Sequence, residues 1–127
     1  MPRDSATPAP AVSILTPAYD VARLVGAAVD SVLAQDFPDW EMIVVDDGSR
    51  DGTAEAVAAR RDPRIRLIVQ ENAGVSAARS RAMAEARGEA ILFLDADDWL
   101  APDALSRLLA ALAAAPEAVG ASRRLLR

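Results

Sequence analysis

The chain has 127 residues, enough for one domain, and its 52% hydrophobic and 26% charged content is that of a folded core rather than a disordered tail. Cysteine, histidine and lysine are all absent, which excludes disulfides, Cys- or His-based zinc sites, Ser-His and Cys-His catalysis, Schiff bases and P-loop chemistry, and leaves acid–base work to Asp and Glu. A net charge of −5 argues against a nucleic-acid partner, which needs a basic stripe to displace phosphate counterions.

Residues 1–11 read as a short flexible leader without the apolar stretch of a signal peptide, and residues 12–127 as the folded unit. Val12 to Thr16 is a β-branched run stopped by Pro17, which cannot donate to a sheet ladder. From Ala22 to Ala34 the residues Leu24, Val25, Ala28, Val29, Val32 and Leu33 recur at helical spacing. Glu41 to Val45 is a second strand closed by Asp46-Asp47-Gly48-Ser49, and a second helix runs from about Thr53 to Arg61, ended by Asp62-Pro63. Ile65 to Val69 is a third strand, Val75 to Arg87 a third helix with Gly88 as its C′ stop, and Ala90 to Leu94 a fourth strand. Pro102 then opens a helix reaching about Ala115. No apolar run approaches the ~20 residues of a membrane span. A cytoplasmic protein is expected, located at the inner face of a membrane if further segments hold it there.

Alternating strands and helices predict an α/β fold: a Rossmann-like parallel sheet with helices on both faces and the loops after its strands gathered on one rim. The polar clusters fall in those loops. A half-sheet of four strands leaves an edge unpaired, and the last segment, Ala118 to Arg127, lacks a closing turn. Truncation of a longer protein and self-association through the uncovered edge are therefore expected.

Asp95-Ala96-Asp97-Asp98 directly follows a buried strand. Carboxylates crowded together repel one another unless a cation relieves them, and hard oxygen ligands suit Mn²⁺ or Mg²⁺. Alternation lets Asp95 and Asp97 face one ligand; a solvated acidic turn is the bland alternative. Asp46-Asp47-Gly48-Ser49 contains a turn dipeptide and a potential helix cap, but two acids ending an Ile-Val-Val strand also suit a hydrogen bond to a base or ribose. Asp47-x-Ser49-x-Asp51-Gly52 imitates a calcium loop and fails, because Ala58 stands where the bidentate glutamate belongs. Tyr19, after Thr16-Pro17-Ala18, offers a flat face to a nucleobase or is merely a half-buried turn residue. Arg79 meets either a phosphate or a neighbouring acid.

Taken in order, these stretches resemble the nucleotide-sugar-binding half of the family-2 inverting glycosyltransferases of the GT-A fold. The matching features are Val12 to Tyr19, Ser31 to Gln35 with Phe37, Glu41 to Thr53, Asn72-Ala73-Gly74 with Ala78-Arg79 and Gly88-Glu89, and Leu94 to Asp98 with Pro102. The resemblance covers about residues 12–117. It implies that Thr16, Pro17 and Tyr19 line the nucleoside pocket, that Asp47 accepts from the nucleobase with Asp46 supporting its loop, and that Arg79, Asp95 and Ala96 belong to the donor site. It further implies that Asp95 contacts the ribose and Asp97 holds the metal, with Asp95 and Asp98 as further ligands. The donor would be a nucleotide-diphospho-sugar, a UDP-sugar in the simplest reading; the acceptor a glycan, lipid or protein. In that family the general base lies in the acceptor half, beyond the metal motif, so donor binding without efficient transfer is expected of these 127 residues. Two departures stand out: Asp20 where asparagine is usual, and Ser80 where asparagine often follows the arginine. Phosphoryl-transfer folds also place paired acids at strand ends, but they balance the phosphoryl charge with a lysine this chain lacks. A non-catalytic nucleotide-binding module, or an inactive truncated one, is the other reading.

Overall fold

A computed structural model describes residues 8–114. Strands β1 (Val12–Ala18), β2 (Trp40–Asp46), β3 (Ile65–Val69) and β4 (Ala90–Phe93) alternate with helices α1 (Ala22–Leu33), α2 (Thr53–Ala58), α3 (Val75–Glu85) and α4 (Ala104–Ala114). The sheet is parallel throughout, in the order β3-β2-β1-β4. The direction of strand order reverses beside β1, and such a reversal is where parallel α/β sheets open a crevice at their carboxyl ends.

The continuous apolar runs of β1 and β2 make them the central pair, buried on both faces. Alternation divides their side chains. Ile14, Met42, Val44 and Leu92 pack with Val25, Val29 and Val32 of α1, Val57 of α2 and Leu105 and Leu108 of α4. Leu15, Ile43 and Val45 face the other way, against Ala78 and Ala82 of α3. Among the described residues no helix is long and apolar enough to cross a membrane.

Several boundaries differ from those read in the sequence, each for a physical reason. Pro17 does not end β1, which continues to Ala18 in register with Asp46. Leu15 presents its carbonyl to Leu94 N–H on the β4 side, so two residues later the proline nitrogen faces that side too, beyond the last residue of β4. It costs the sheet no hydrogen bond. Helix α2 stops at Ala58: Arg60 N–H turns back to Val57 O, and its guanidinium bonds Ala56 O and pairs with Asp30 of α1. Pro102 does not open α4, which begins at Ala104; its carbonyl accepts Asp36 N–H instead. The chain joins the sheet from Pro10, which is buried and whose carbonyl accepts Glu89 N–H, one residue before the expected end of the leader. Residues 1–7 and the closing segment from Ala118 lie outside the described residues.

Gly88 is not a left-handed C′ stop. Helix α3 ends at Glu85 with Ala86 extended, and Gly88 is absent from the positive-φ residues. It is glycine for want of space: a Cβ there would stand 2.6 Å from Ser13 N and 2.7 Å from Val12 C, in the backbone of a central strand that has nowhere to go. Gly88→Ala should therefore destabilise the chain by about 3 kcal/mol, measured as a fall in denaturant midpoint at unchanged slope; a midpoint within error of wild type would refute the close approach.

Candidate donor site on the carboxyl rim of the sheet

All four strand-to-helix loops open on one rim, and the first three are laced to one another. Asp20 takes φ +50°, a left-handed conformation that Asp and Asn tolerate among non-glycine residues. Its N–H donates to Ser49 Oγ at 2.8 Å, and its carboxylate accepts Arg50 N–H at 2.9 Å. The position thus uses a left-handed residue with one acceptor oxygen, which aspartate supplies as asparagine would. Helix α1 carries no cap of its own: Val21 N–H donates to Thr53 Oγ1 and Ala22 N–H to Asp51 Oδ2, both from the loop and helix start after β2. The stretch that imitates a calcium loop supplies this capping device. Asp51 stays ionised below the usual carboxylate range, chiefly through the Thr53 hydroxyl and then Ala22 N–H.

Asp46 and Asp47 divide the work at the end of β2. Asp46 accepts the N–H and the hydroxyl of Ser49, closing its own turn. Asp47, 4% exposed, reaches across to the β3–α3 loop, where four donors converge on its carboxylate. Gln70 Nε2 and Ala73 N–H bond Oδ1 at 2.8 and 2.9 Å; Asn72 Nδ2 and Gly74 N–H bond Oδ2 at 3.1 and 2.9 Å. Gln70 first, then the Ala73 and Gly74 amides, hold the Asp47 pKa below the ordinary carboxylate value against the opposing effect of burial. Gly48 permits this approach twice over: its φ is +80°, and a Cβ would meet Asn72 N at 2.9 Å.

Between these loops lies a hollow of about 230 Å³, lined by Pro17, Ala18, Tyr19, Asp47, Asn72, Gly74, Val75 and Ala78. Its walls are apolar, with polar groups at one edge, and it falls below the ~300–1,000 Å³ of a pocket for a whole drug-sized ligand, so it suits one flat moiety of a larger one. Pro17, Tyr19 and Asp47 meet here. Thr16 does not line it: it lies fully buried, two residues before Ala18 in the interior of β1, and its hydroxyl finds no hydrogen-bond partner among the described residues. Asn72, Gly74, Val75 and Ala78 are not among the site residues read from the sequence: Asn-Ala-Gly reads there as an ordinary turn, Ala78 only as part of the family resemblance, and Gln70 carries no signal.

The acidic loop follows β4. Asp95, Asp97 and Asp98 can each place one carboxylate oxygen within 4.8 Å of the others, with Asp95 and Asp97 exposed. Ala96 points the other way, into the α1 and α4 core, so only its backbone remains for a ligand. Asp98 N–H donates to Asp95 O at 2.9 Å and tightens the turn. Beyond it the chain is tied to α1: Leu100 N–H donates to Ser31 Oγ, while Gln35 donates to Ala101 O and accepts from Leu105 N–H. The oxygen-only donor set and its spacing fit a hard divalent cation such as Mn²⁺ or Mg²⁺.

Helix α3 joins the two features. Ala78 lines the hollow, and the next residue, Arg79, reaches Asp95 at 3.9 Å with its guanidinium 5.7 Å from the Phe93 ring centre. The neighbouring acid is thus its partner here. Both side chains are more than half exposed, so the pair is worth no more than about 1 kcal/mol and is easily exchanged.

With this geometry in view, comparison with known proteins is specific. The sequence profile of Glycosyl transferase family 2 matches residues 13–125. The Escherichia coli UDP-Glc:alpha-D-GlcNAc-diphosphoundecaprenol beta-1,3-glucosyltransferase WfgD is 42% identical over 92 residues, covering 71% of this chain and 36% of that protein. Among solved structures, S. aureus TarS 1-349 in complex with UDP superposes with a TM-score of 0.77 at 30% identity, over 81% of this chain and 32% of that one. The mannosyltransferase PcManGT from Pyrobaculum calidifontis, in complex with GDP-Man and Mn²⁺, gives 0.72 at 34% identity, over 84% and 33%. The chain spans between about a third and two fifths of the length of relatives such as these.

Proposed function

The chain belongs to glycosyl transferase family 2, and from that premise we propose that its rim is the donor site of an inverting, metal-dependent glycosyltransferase acting on a nucleotide-diphospho-sugar, a UDP-sugar in our reading. The observation that carries this is one juxtaposition: a base-sized hollow and a triad of carboxylates share the rim, linked through Ala78 and Arg79. The Tyr19 ring stacks on the base, and the edge formed by Asp47 and Asn72 supplies hydrogen bonds to it. The Asp47 carboxylate is already satisfied, so a base donor that reaches it must displace Gln70 or Asn72, whereas a base seated beside it uses the Asn72 amide. Asp95 lies toward the ribose. Arg79 leaves its weak pair with Asp95 for a diphosphate oxygen, an exchange favoured by the stronger charge-assisted bonds that guanidinium makes with phosphate.

Asp97, with Asp95 and Asp98, would hold Mn²⁺ or Mg²⁺, which when bound neutralises charge on the departing diphosphate. The carboxylate that deprotonates the acceptor hydroxyl is assigned to the acceptor half of the full enzyme, as in our reading is the choice among glycan, lipid and protein acceptors. The site of action is the cytoplasm, or the inner face of a membrane.

Calorimetric titration tests the reading. UDP should bind in Mn²⁺ and at least about tenfold more weakly in chelator, a difference of about 1.4 kcal/mol, while inorganic phosphate should bind in neither. Phosphate binding without UDP binding would favour a phosphoryl-transfer site, and no binding of any kind would leave an inactive module.

A further inference from the structure

Two buried polar groups that the rim does not use, Glu41 and Ser13, lie at the opposite end of the sheet. Glu41 is 1% exposed and Ser13 fully buried, at paired positions of β2 and β1 on the α3 face. The Ser13 hydroxyl donates to Glu41 Oε2 at 2.6 Å, and the same carboxylate oxygen accepts Arg87 N–H at 2.7 Å. Gly88 N–H in turn donates to Ser13 Oγ at 2.7 Å. Two successive amides of the α3–β4 connection are thus held by one side-chain relay. Glu41 Oε1 accepts no hydrogen bond among the described residues and faces Arg66 at 3.8 Å; Arg66 binds the carboxylate and the carbonyl of Glu85, the last residue of α3. A buried carboxylate placed this way is a costly device for holding two backbone amides that solvent or a turn would otherwise satisfy.

What it controls is β4. That strand has four residues and one neighbour among the described residues, running from the Val12–Ala90 pair to the Leu15–Phe93 pair. So short an edge strand is weakly specified by its own side chains, and a slip of one residue would turn every following side chain over. Asp95 and Asp97 would then exchange faces with Ala96 and Asp98. Gly88, packed on the Ser13 backbone, and the Glu41–Ser13 relay settle the register before β4 begins, about 16 Å along the strand from the rim.

We propose that Glu41, together with Ser13, is a positioning residue for the acidic loop: it sets the register in which β4 enters the sheet and thereby which carboxylates of Asp95–Asp98 face one another. Its consequence for metal affinity rests on the function proposed above; the register role does not. The test compares Glu41→Ala, Glu41→Gln and Ser13→Ala in the full chain by two readouts, amide hydrogen exchange and Mn²⁺ binding followed by electron paramagnetic resonance. In Glu41→Ala, exchange at Ala90 to Leu94 should rise about tenfold more than at Met42 to Val45, and Mn²⁺ affinity should fall about tenfold. Glu41→Gln keeps an acceptor oxygen for Ser13 and Arg87 and should recover most of both. Ser13→Ala, which releases only part of the relay and keeps the strand pair, should give an intermediate effect and decides the matter should Glu41→Ala fail to fold. Exchange rising equally across the sheet in the variants that fold would overturn the proposal, since it would reduce Glu41 to general stability. Selective loosening of β4 with Mn²⁺ affinity unchanged would overturn its link to the acidic loop. Wild-type chain that takes up no Mn²⁺ counts against the proposed function alone, and the exchange pattern then decides the register role.

Discussion

In Asp97→Ala, UDP should bind equally well with and without Mn²⁺, at the affinity that wild type shows in chelator. A hard cation at such a site is shared between one or two carboxylates and the ligand's phosphates, so removing the exposed central carboxylate of the triad takes away a large share of the protein's hold. The expected loss in Mn²⁺ is at least about tenfold, or about 1.4 kcal/mol, the same difference that chelator makes to wild type. Stability should hardly change, because Asp97 is exposed and its removal relieves repulsion among the three acids. That combination separates a ligand role from a structural one. A variant that still gains affinity from Mn²⁺ would end the metal assignment, and a variant that unfolds would mean the acidic turn is architectural. Tyr19→Ala is the natural control: it should weaken UDP binding in both media, because stacking does not depend on the cation.

The second large effect is expected at Asp47, and it is the reverse in kind. Asp47→Ala strips the acceptor from four donors at once, two of them backbone amides just ahead of α3, and should cost about 3 kcal/mol of stability. UDP binding should be lost with it, since Asn72, Gly74 and Val75 form a wall of the hollow whose side-chain ties to the end of β2 would shrink, among the described residues, to the bond from Asn72 Nδ2 to the backbone carbonyl of residue 47. The effect should depend on pH with a definite sign. The folded Asp47 pKa lies below its unfolded value of about 3.9, so its contribution is complete above that value and disappears as the pH falls through the lower, folded one. Denaturant midpoints of wild type and variant should therefore be well separated at pH 7 and converge in acid. A gap that persists undiminished at pH 2 would show that neutral packing, rather than the ionised carboxylate, holds the loop.

These two aspartates also show how differently a site can be legible. Asp97 is readable from its neighbourhood: an alternating acidic turn after a Phe-Leu strand, with the intervening alanine small and apolar because it points into the core. The metal-binding chemistry proposed for it follows from residue type and spacing. Asp47 sits in an equally suggestive stretch, yet its partners lie 23 to 27 residues away in a loop whose own signals are those of an ordinary turn. The same holds for Asp51, whose task of capping α1 spans 29 residues.

By itself, the sequence determined the alternation of elements, the covering of both sheet faces, the gathering of polar loops on one rim and the resemblance to family 2. Each of these depends on periods of two or 3.6 residues, on breakers, or on motifs contained within a single loop. Tertiary structure alone decided that Pro17 stays in β1, that Thr16 stays buried outside the hollow while Ala78 lines it, and that Gly88 is needed for its closeness to Ser13. It also decided that Glu41 and Ser13 hold the entry to β4. The reason is common to all of them. A buried polar group or a close backbone approach is satisfied by whichever strand lies next to it, and strand order brings together residues as much as 75 positions apart that no local pattern relates.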